Sequence, residues 1–281
     1  MTNLFLCSFA SPDLGRSVKR FIKQSNEISL YKDYKIFGWK DLSLNKKKQI
    51  KNFFKKGNKR LFGYACWKPE IILNYLNSLP KESILQYSDI GCHLNKNGMQ
   101  RLKFYLETTN KNNILAFQYK KPEFEMINKN LKYQIYYENE YTKGDLFNYF
   151  KLPIDSQIRK SEQVWSGTVF FKNNSITKNF LKEWNDVCCK MNLIDDSPSI
   201  EMNSEEFIEH RHDQSIFSIL CKINSIFCLS ASEIEWAEDE KGRYWEHLDS
   251  HPILAKRDKK MNIFKRFFLR QFKNINRIFN K

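Results

Sequence analysis

Short apolar runs alternate with amphipathic segments along most of this chain, and that alternation is what most narrows its fold. Leu4–Phe9 reads as a buried strand, after which Ser11-Pro12-Asp13 opens a helix through Val18, Phe21 and Ile22, since proline is favoured in a first helical turn. Residues 34–39 form a second strand candidate and residues 46–56 a basic helix. Pro69 begins a helix whose apolar stripe is Ile72, Leu73, Leu76 and Leu79, ending at Pro80 before a strand through Leu85. A helix at 99–106, a strand at 114–119, a strand at 164–171, a helix at 175–190 and a helix at 213–223 continue the pattern. Strands alternating with helices predict an α/β fold: one layered, Rossmann-type domain over residues 1–255 with a mainly parallel central sheet. Residues 120–141 are rich in Lys and Tyr and show no regular period. Thr142-Lys143-Gly144-Asp145 then reads as a capping box, with Thr142 as N-cap of a short helix to Phe150.

Composition limits the partners. At 281 residues, 41% hydrophobic and 15% aromatic, the chain can bury a substantial core, and its 9 glycines argue against low complexity. A net charge of +15 points to an anionic partner, although Lys, Asn, Ile and Phe are abundant throughout and give a purely compositional alternative. The 7 cysteines are odd in number and lack CxxC spacing, as expected of reduced thiols in a cytosolic protein. The first residues lack a basic start and meet Pro12-Asp13 before a signal sequence forms, and no apolar run approaches the ~20 residues that span a bilayer. These features predict a cytoplasmic chain.

Three segments hold chemistry-bearing residues. The strand through Leu85-Gln86-Tyr87-Ser88 stops at Asp89-Ile90-Gly91. Ligands of open α/β sheets gather where strands end, so Asp89 is placed to meet one, while an Asp followed by Gly is also an ordinary turn. His210-Arg211-His212-Asp213-Gln214-Ser215 crowds polar groups at the start of an apolar helix. Asp213 reads there as an N-cap, and the positive helix terminus beside cationic side chains also suits a phosphate or a developing anion. Trp165-Ser166-Gly167 interrupts a strand with glycine, the mark of a bulge or of a close approach, and an indole there can stack on a sugar or anchor a core. His251 is isolated, and only a meeting with Asp89 in space would make it a metal ligand.

Taken in order, Phe9-Ala10-Ser11, Trp67-Lys68-Pro69, Tyr87-Ser88-Asp89-Ile90-Gly91, Tyr141 to Phe147, Gln163 to Gly167, His210 to Ser215 and His251-Pro252-Ile253 resemble bacterial GT-A-type glycosyltransferases of surface-polysaccharide assembly, as in lipooligosaccharide or capsule biosynthesis. The resemblance runs to about Lys256. It implies a nucleotide-sugar half over about residues 1–120, an acceptor half over about 121–255, hexosyl-type transfer to a glycan or glycolipid, and a divalent metal, Mn or Mg. Asp89 is similar to the last carboxylate of the Asp-x-Asp metal motif, with Tyr87 standing at its first position. His251 is similar to a late histidine that completes some such metal sites. Asp213 and Gln214 look like the pair beneath the sugar's reacting carbon, and Trp165 with Gly167 like the acceptor-side loop. Ser8, Phe9, Arg16, Lys68 and Asp89 make up the expected nucleotide-sugar set, with Arg16 and Lys68 as phosphate contacts.

The last stretch, 256–281, differs in composition. Lys259, Lys260, Lys265, Arg266, Arg270, Lys273 and Arg277 alternate with Phe264, Phe267, Phe268, Phe272, Ile275 and Phe279 at helical spacing. A basic amphipathic helix with an aromatic face suits an anionic membrane surface, which predicts a peripheral position on the inner face of the inner membrane; docking on the protein's own core or on a partner subunit is the alternative. No nucleic-acid motif accompanies the positive charge, so nucleic acid is not an expected partner. A basic nucleic-acid-binding protein and an inactive scaffold of the same fold are the rival readings.

Overall fold

The computed structural model describes residues 3–122 and 130–256. The tail helix expected over 256–281 falls, beyond Lys256, outside the described residues. The central sheet has the strand order β2-β1-β3-β7-β5-β8, formed by β1 (Leu4–Phe9), β2 (Tyr31–Phe37), β3 (Ile84–Ser88), β5 (Ile114–Gln118), β7 (Val164–Lys172) and β8 (Phe227–Ser230). β1 runs parallel to both β2 and β3, and β5 parallel to β8, while β7 is antiparallel to β3 and to β5. Five strands therefore point one way and β7 the other: the expected mainly parallel sheet, with one reversal.

Alternating side chains of these strands feed two cores. Leu4, Leu6, Phe117 and Phe170 face one side, where Phe21 of α1 (Gly15–Glu27) and Leu102 and Tyr105 of α4 (Met99–Asn112) cover them. Cys7, Phe9, Ala116, Val169 and Phe171 face the other. There Ile50 of α2 (Leu44–Lys55), Ile72 and Leu76 of α3 (Lys68–Ser78), Leu181 and Trp184 of α7 (Ser175–Cys188) and Phe217 and Leu220 of α8 (Asp213–Ile223) close over the sheet. Near-continuous apolar strands are what burial on both faces demands. Five cysteines lie in these cores, Cys228 is half-buried, Cys189 is exposed, and none is disulfide-bonded.

The irregular stretch between β5 and β7 contains β6 (Lys132–Tyr133) and the one-turn helix α5 (Glu138–Tyr141). β6 joins β9 (Ala237–Asp239) and β10 (Gly242–Tyr244) in a three-stranded sheet, and β4 (His93–Leu94) pairs with β11 (Ile253–Leu254). Two expected caps are corrected. Thr142 does not cap α6 (Gly144–Tyr149): its hydroxyl donates to Glu138 at 2.7 Å, Lys143 holds the N-cap position, and Asp145 Oδ1 accepts the backbone N–H groups of Ile200 and Glu201, both at 2.8 Å. Asp213 is not an N-cap either. It is the first residue inside α8, preceded by His212 at φ 57°.

The chain leaves β1 for β2 on one side and later returns to β3 on the other, so the sheet's switch point lies between β1 and β3. Their C-terminal ends carry Phe9 and Asp89. Because β7 is reversed, its N-terminal end reaches the same edge, with Thr168 opposite Ser88. Ligand sites of open sheets form at this kind of crevice.

Candidate active site

The Asp89 backbone N–H donates to Gly167 O at 2.7 Å, which extends the β3–β7 ladder by one step. On its other side β7 slips register against β5: Leu115 pairs with Phe170, yet Phe117 pairs with Trp165. The bulge throws Trp165-Ser166-Gly167 toward the sheet edge. A Cβ at Gly167 would lie 2.2 Å from Cζ2 of Trp165, so glycine is required for the indole to fold over its own strand. Trp165 is 3% exposed. The pair expected at the acceptor side therefore acts first as the mould for Asp89.

Lys68, the first residue of α3, reaches across this edge. Its Nζ lies 2.7 Å from Asp213 Oδ2 and 3.5 Å from Asp89 Oδ1, and donates to Ser166 Oγ at 3.1 Å. Ser166 Oγ in turn donates to Asp213 Oδ2 at 2.9 Å, and the Tyr87 hydroxyl donates to Asp89 Oδ1 at 2.6 Å. The Lys68 and Asp213 side chains are 4% and 3% exposed, whereas Asp89 is 34% exposed. A cation at a helix N-terminus, removed from water, is unfavourable by itself; two carboxylates compensate for it. Burial opposes the Lys68 charge, but Asp213 and Asp89 outweigh it and hold the group above an ordinary lysine. Burial likewise raises the Asp213 carboxyl, and Lys68 offsets that only in part. Lys68 is thus not the free phosphate contact expected of it, because its donors are committed to protein oxygens.

Gln214 Nε2 donates to Gln163 Oε1 at 2.9 Å, and Gln163 Nε2 donates to Glu138 Oε2 at 3.1 Å. Glu138 is fully buried and also accepts Lys222 Nζ at 2.6 Å and the hydroxyls of Thr142 and Ser218. A carboxylate only accepts, so it fixes which way the Gln163 amide faces, and Gln163 fixes Gln214 in turn. With Nε2 so engaged, Oε1 is the acceptor end left over on Gln214, a residue that lines the cavity. Gln163 opens a segment that the sequence singled out, but its tie to Glu138 and Lys222 was not legible, since no local spacing joins them.

Both histidines of the His210-Arg211-His212 run face inward. His210 Nε2 meets Leu193 O at 3.0 Å and His212 Nδ1 meets Ile194 O at 2.8 Å, so each ring holds the backbone of the preceding segment. Burial lowers both, His212 to about 4, which leaves them neutral at pH 7.

The remaining expected residues divide. Phe9 stacks on Trp67 with ring centroids 3.8 Å apart and forms part of the cavity wall; Arg16 lines its mouth. Ser8 is fully buried within β1 and does not line the cavity. His251 lies elsewhere: its Nε2 is 3.9 Å from Glu233, a carboxylate already held by both Arg101 and Tyr105. Asp89 and His251 do not form a shared metal site, and no group of three or more His, Cys, Asp or Glu suited to a metal occurs among the described residues. The position between the Asp89 and Asp213 carboxylates is taken by the Lys68 ammonium. This donor set does not fit a divalent ion. Arg20, which the sequence did not single out, clamps the loop after Asp89 by donating to the carbonyls of Ile90 and Cys92 at 2.8 and 2.6 Å.

Asp89, Lys68, Asp213, Gln214, Trp165, Gly167, Phe9 and Arg16 line one cavity of about 1700 Å³. Single-ligand pockets run to about 300–1,000 Å³, so there is room for two molecules beside the carboxylate pair. No family model and no curated protein matches the sequence. Among solved structures, the chain is similar to apo mouse xyloside xylosyltransferase 1, with 8% identity and a TM-score of 0.43 over 83% of this chain and 86% of that one. It is also similar to a glycosyltransferase involved in glycosylation of the major capsid of PBCV-1, with 12% identity and a TM-score of 0.42 over 92% and 94% of the two chains. Similarity to the bifunctional glycosyltransferase WbbM, at 11% identity and a TM-score of 0.43, covers 83% of this chain and 40% of that one. Likenesses at this level carry no argument about activity, which rests on the geometry above.

Proposed function

We propose that this cavity is the active site of a glycosyltransferase that moves a sugar from a nucleotide-sugar donor to a glycan or glycolipid acceptor. The observation that supports it is the meeting of Asp89 and Asp213, remote in sequence, on one buried lysine at the switch-point edge of the sheet. Here the pair opens into a cavity large enough for a donor and an acceptor.

In the proposed reaction an acceptor hydroxyl oxygen bonds to the donor's anomeric carbon, the bond from that carbon to phosphate breaks, and the nucleoside diphosphate leaves. The hydroxyl proton passes to Asp213, whose carboxyl burial has raised toward the range useful in a base. Gln214 Oε1 accepts from a donor hydroxyl, and Asp89, held by Tyr87 and Lys68, takes another. Arg16 at the cavity mouth balances the diphosphate charge. Lys68 supplies the fixed positive charge between the carboxylates, so the proposal includes no divalent metal. A surface-polysaccharide role on the inner face of the inner membrane belongs to the same proposal. It is supported by the basic, phenylalanine-rich sequence of 256–281 and, among the described residues, no helix is long and apolar enough to cross a membrane.

The test is a thermal-shift screen of nucleotide sugars. A true donor at 100 times its Kd stabilises the wild type by about 2.7 kcal/mol and shifts the melting temperature of Asp89→Asn by clearly less, whereas Asp213→Asn, which loses the base, keeps the shift and loses transfer. No shift with any nucleotide sugar, and no donor consumption, would refute the reading.

A further inference from the structure

Beyond the carboxylate pair, the acceptor-half wall of the cavity carries cations in an unusual setting. The Arg211 guanidinium lies 4.0 Å from the Tyr136 ring centroid and 3.7 Å from that of Tyr141. Arg243 lies 4.4 Å over Trp236, and Lys256 Nζ 5.8 Å over Trp245. Arg211, Tyr136, Trp236, Arg243, Trp245 and Lys256 all line the cavity. Among the described residues no salt bridge engages Arg211, Arg243 or Lys256, in contrast to Arg60, which pairs with Glu209, and Arg101, which pairs with Glu233. Glu235 on the same wall has an oxygen facing the Tyr119 hydroxyl at 3.3 Å. A guanidinium held close to an aromatic ring is positioned by it while its N–H groups can still meet a carboxylate or phosphate.

We infer that this wall is an acceptor subsite selective for an acidic saccharide, one bearing a carboxylate or phosphate, with Arg211 nearest the reacting carbon and Arg243 and Lys256 further out. The inference rests on the glycosyltransferase reading and deepens it by naming the acceptor's chemistry. Arg211 belongs to the turn that carries Asp213 and Gln214, while Arg243 follows the β9–β10 turn and Lys256 follows β11. An extended acidic glycan would cross all three and leave the Arg16 side of the cavity to the donor. A neutral glycan would meet three cations that, among the described residues, no salt bridge engages.

The test is direct binding of the full chain to an array of matched oligosaccharides, each present as the neutral parent, with a uronic carboxylate and with a phosphate. The nucleotide-sugar thermal shift is measured on the same samples. The acidic members should be retained at least tenfold more strongly than the neutral parents, with a preference that fades as salt rises, and the array separates carboxylate from phosphate. Arg243→Glu and Lys256→Glu should each reduce that preference at least tenfold, Arg243→Lys, which keeps the charge but not the fork, should lose part of it, and the nucleotide shift should be unchanged in all three. Equal binding of neutral and acidic members, or an acid preference untouched in both reversal variants, would overturn the subsite while leaving the donor reading intact. Acid preference without any nucleotide shift would instead overturn the donor reading.

Discussion

At the residue scale, Lys68 decides how the site behaves. Removing one member of a buried ion pair leaves the other charge uncompensated, at a cost of about 3–5 kcal/mol. Lys68→Met should lose that much stability in urea denaturation, because Asp213 is 3% exposed and, among the described residues, no other cation pairs with it. The double variant Lys68→Met with Asp213→Leu should regain most of the stability and none of the activity, which separates folding from chemistry. His212 makes a second prediction. The unfolded chain protonates it near 6.5 and the folded chain only near 4, so the unfolded state binds more protons between those values. Stability is then complete above pH 6.5 and falls as the pH drops, by up to about 3 kcal/mol at pH 4. Denaturation curves measured at pH 7, 5.5 and 4 should show the loss, and His212→Asn, an exchange that tolerates the positive φ, should flatten it. Asp89 and Asp213 were legible because each stands where an apolar element starts or stops. The part played by Lys68 was not: Trp-Lys-Pro marks a helix start, and nothing in it says that the lysine points inward.

At the element scale, sequence periodicity identified most strands and helices but not their directions. Apolar runs carry no sign, so β7 reads like its neighbours although it is reversed, and that reversal brings Trp165 to Gly167 to the same edge as Asp89. The glycine signal in β7 did indicate a bulge, and the register slip there agrees with it. Gly167→Ala would force the Trp165 indole to move from a 2.2 Å clash. Overpacking of this kind costs about 1–3 kcal/mol, and the displaced edge should lower turnover as well as the denaturation midpoint. The α5–β7–α8 network was invisible for a different reason: Glu138, Gln163 and Lys222 are joined only by folding. Glu138→Gln removes the charge that orients the Gln163 amide. It should reduce kcat/KM for the donor about tenfold, equivalent to about 1.4 kcal/mol, because Gln214 would then present either end of its amide to the donor hydroxyl.

At the scale of the whole molecule, a two-sided core fixes the sheet rigidly, and the irregular second half of the chain shapes the cavity. That half was the least legible part of the sequence. Its short strands β6, β9 and β10 are two or three residues long and owe their pairing to tertiary contacts rather than to a repeat. Three of the cations behind the net positive charge, Arg211, Arg243 and Lys256, line the cavity wall. The central claim is that Asp89, Lys68 and Asp213 form a donor site whose fixed cation belongs to the protein. Calorimetric titration of nucleotide sugars into the wild type and into Asp89→Asn, each in EDTA and in Mn²⁺, tests it most directly. The account predicts at least one nucleotide sugar bound with equal affinity in both buffers and at least tenfold more weakly by the variant; binding that vanishes in EDTA, or that the variant retains in full, would contradict it.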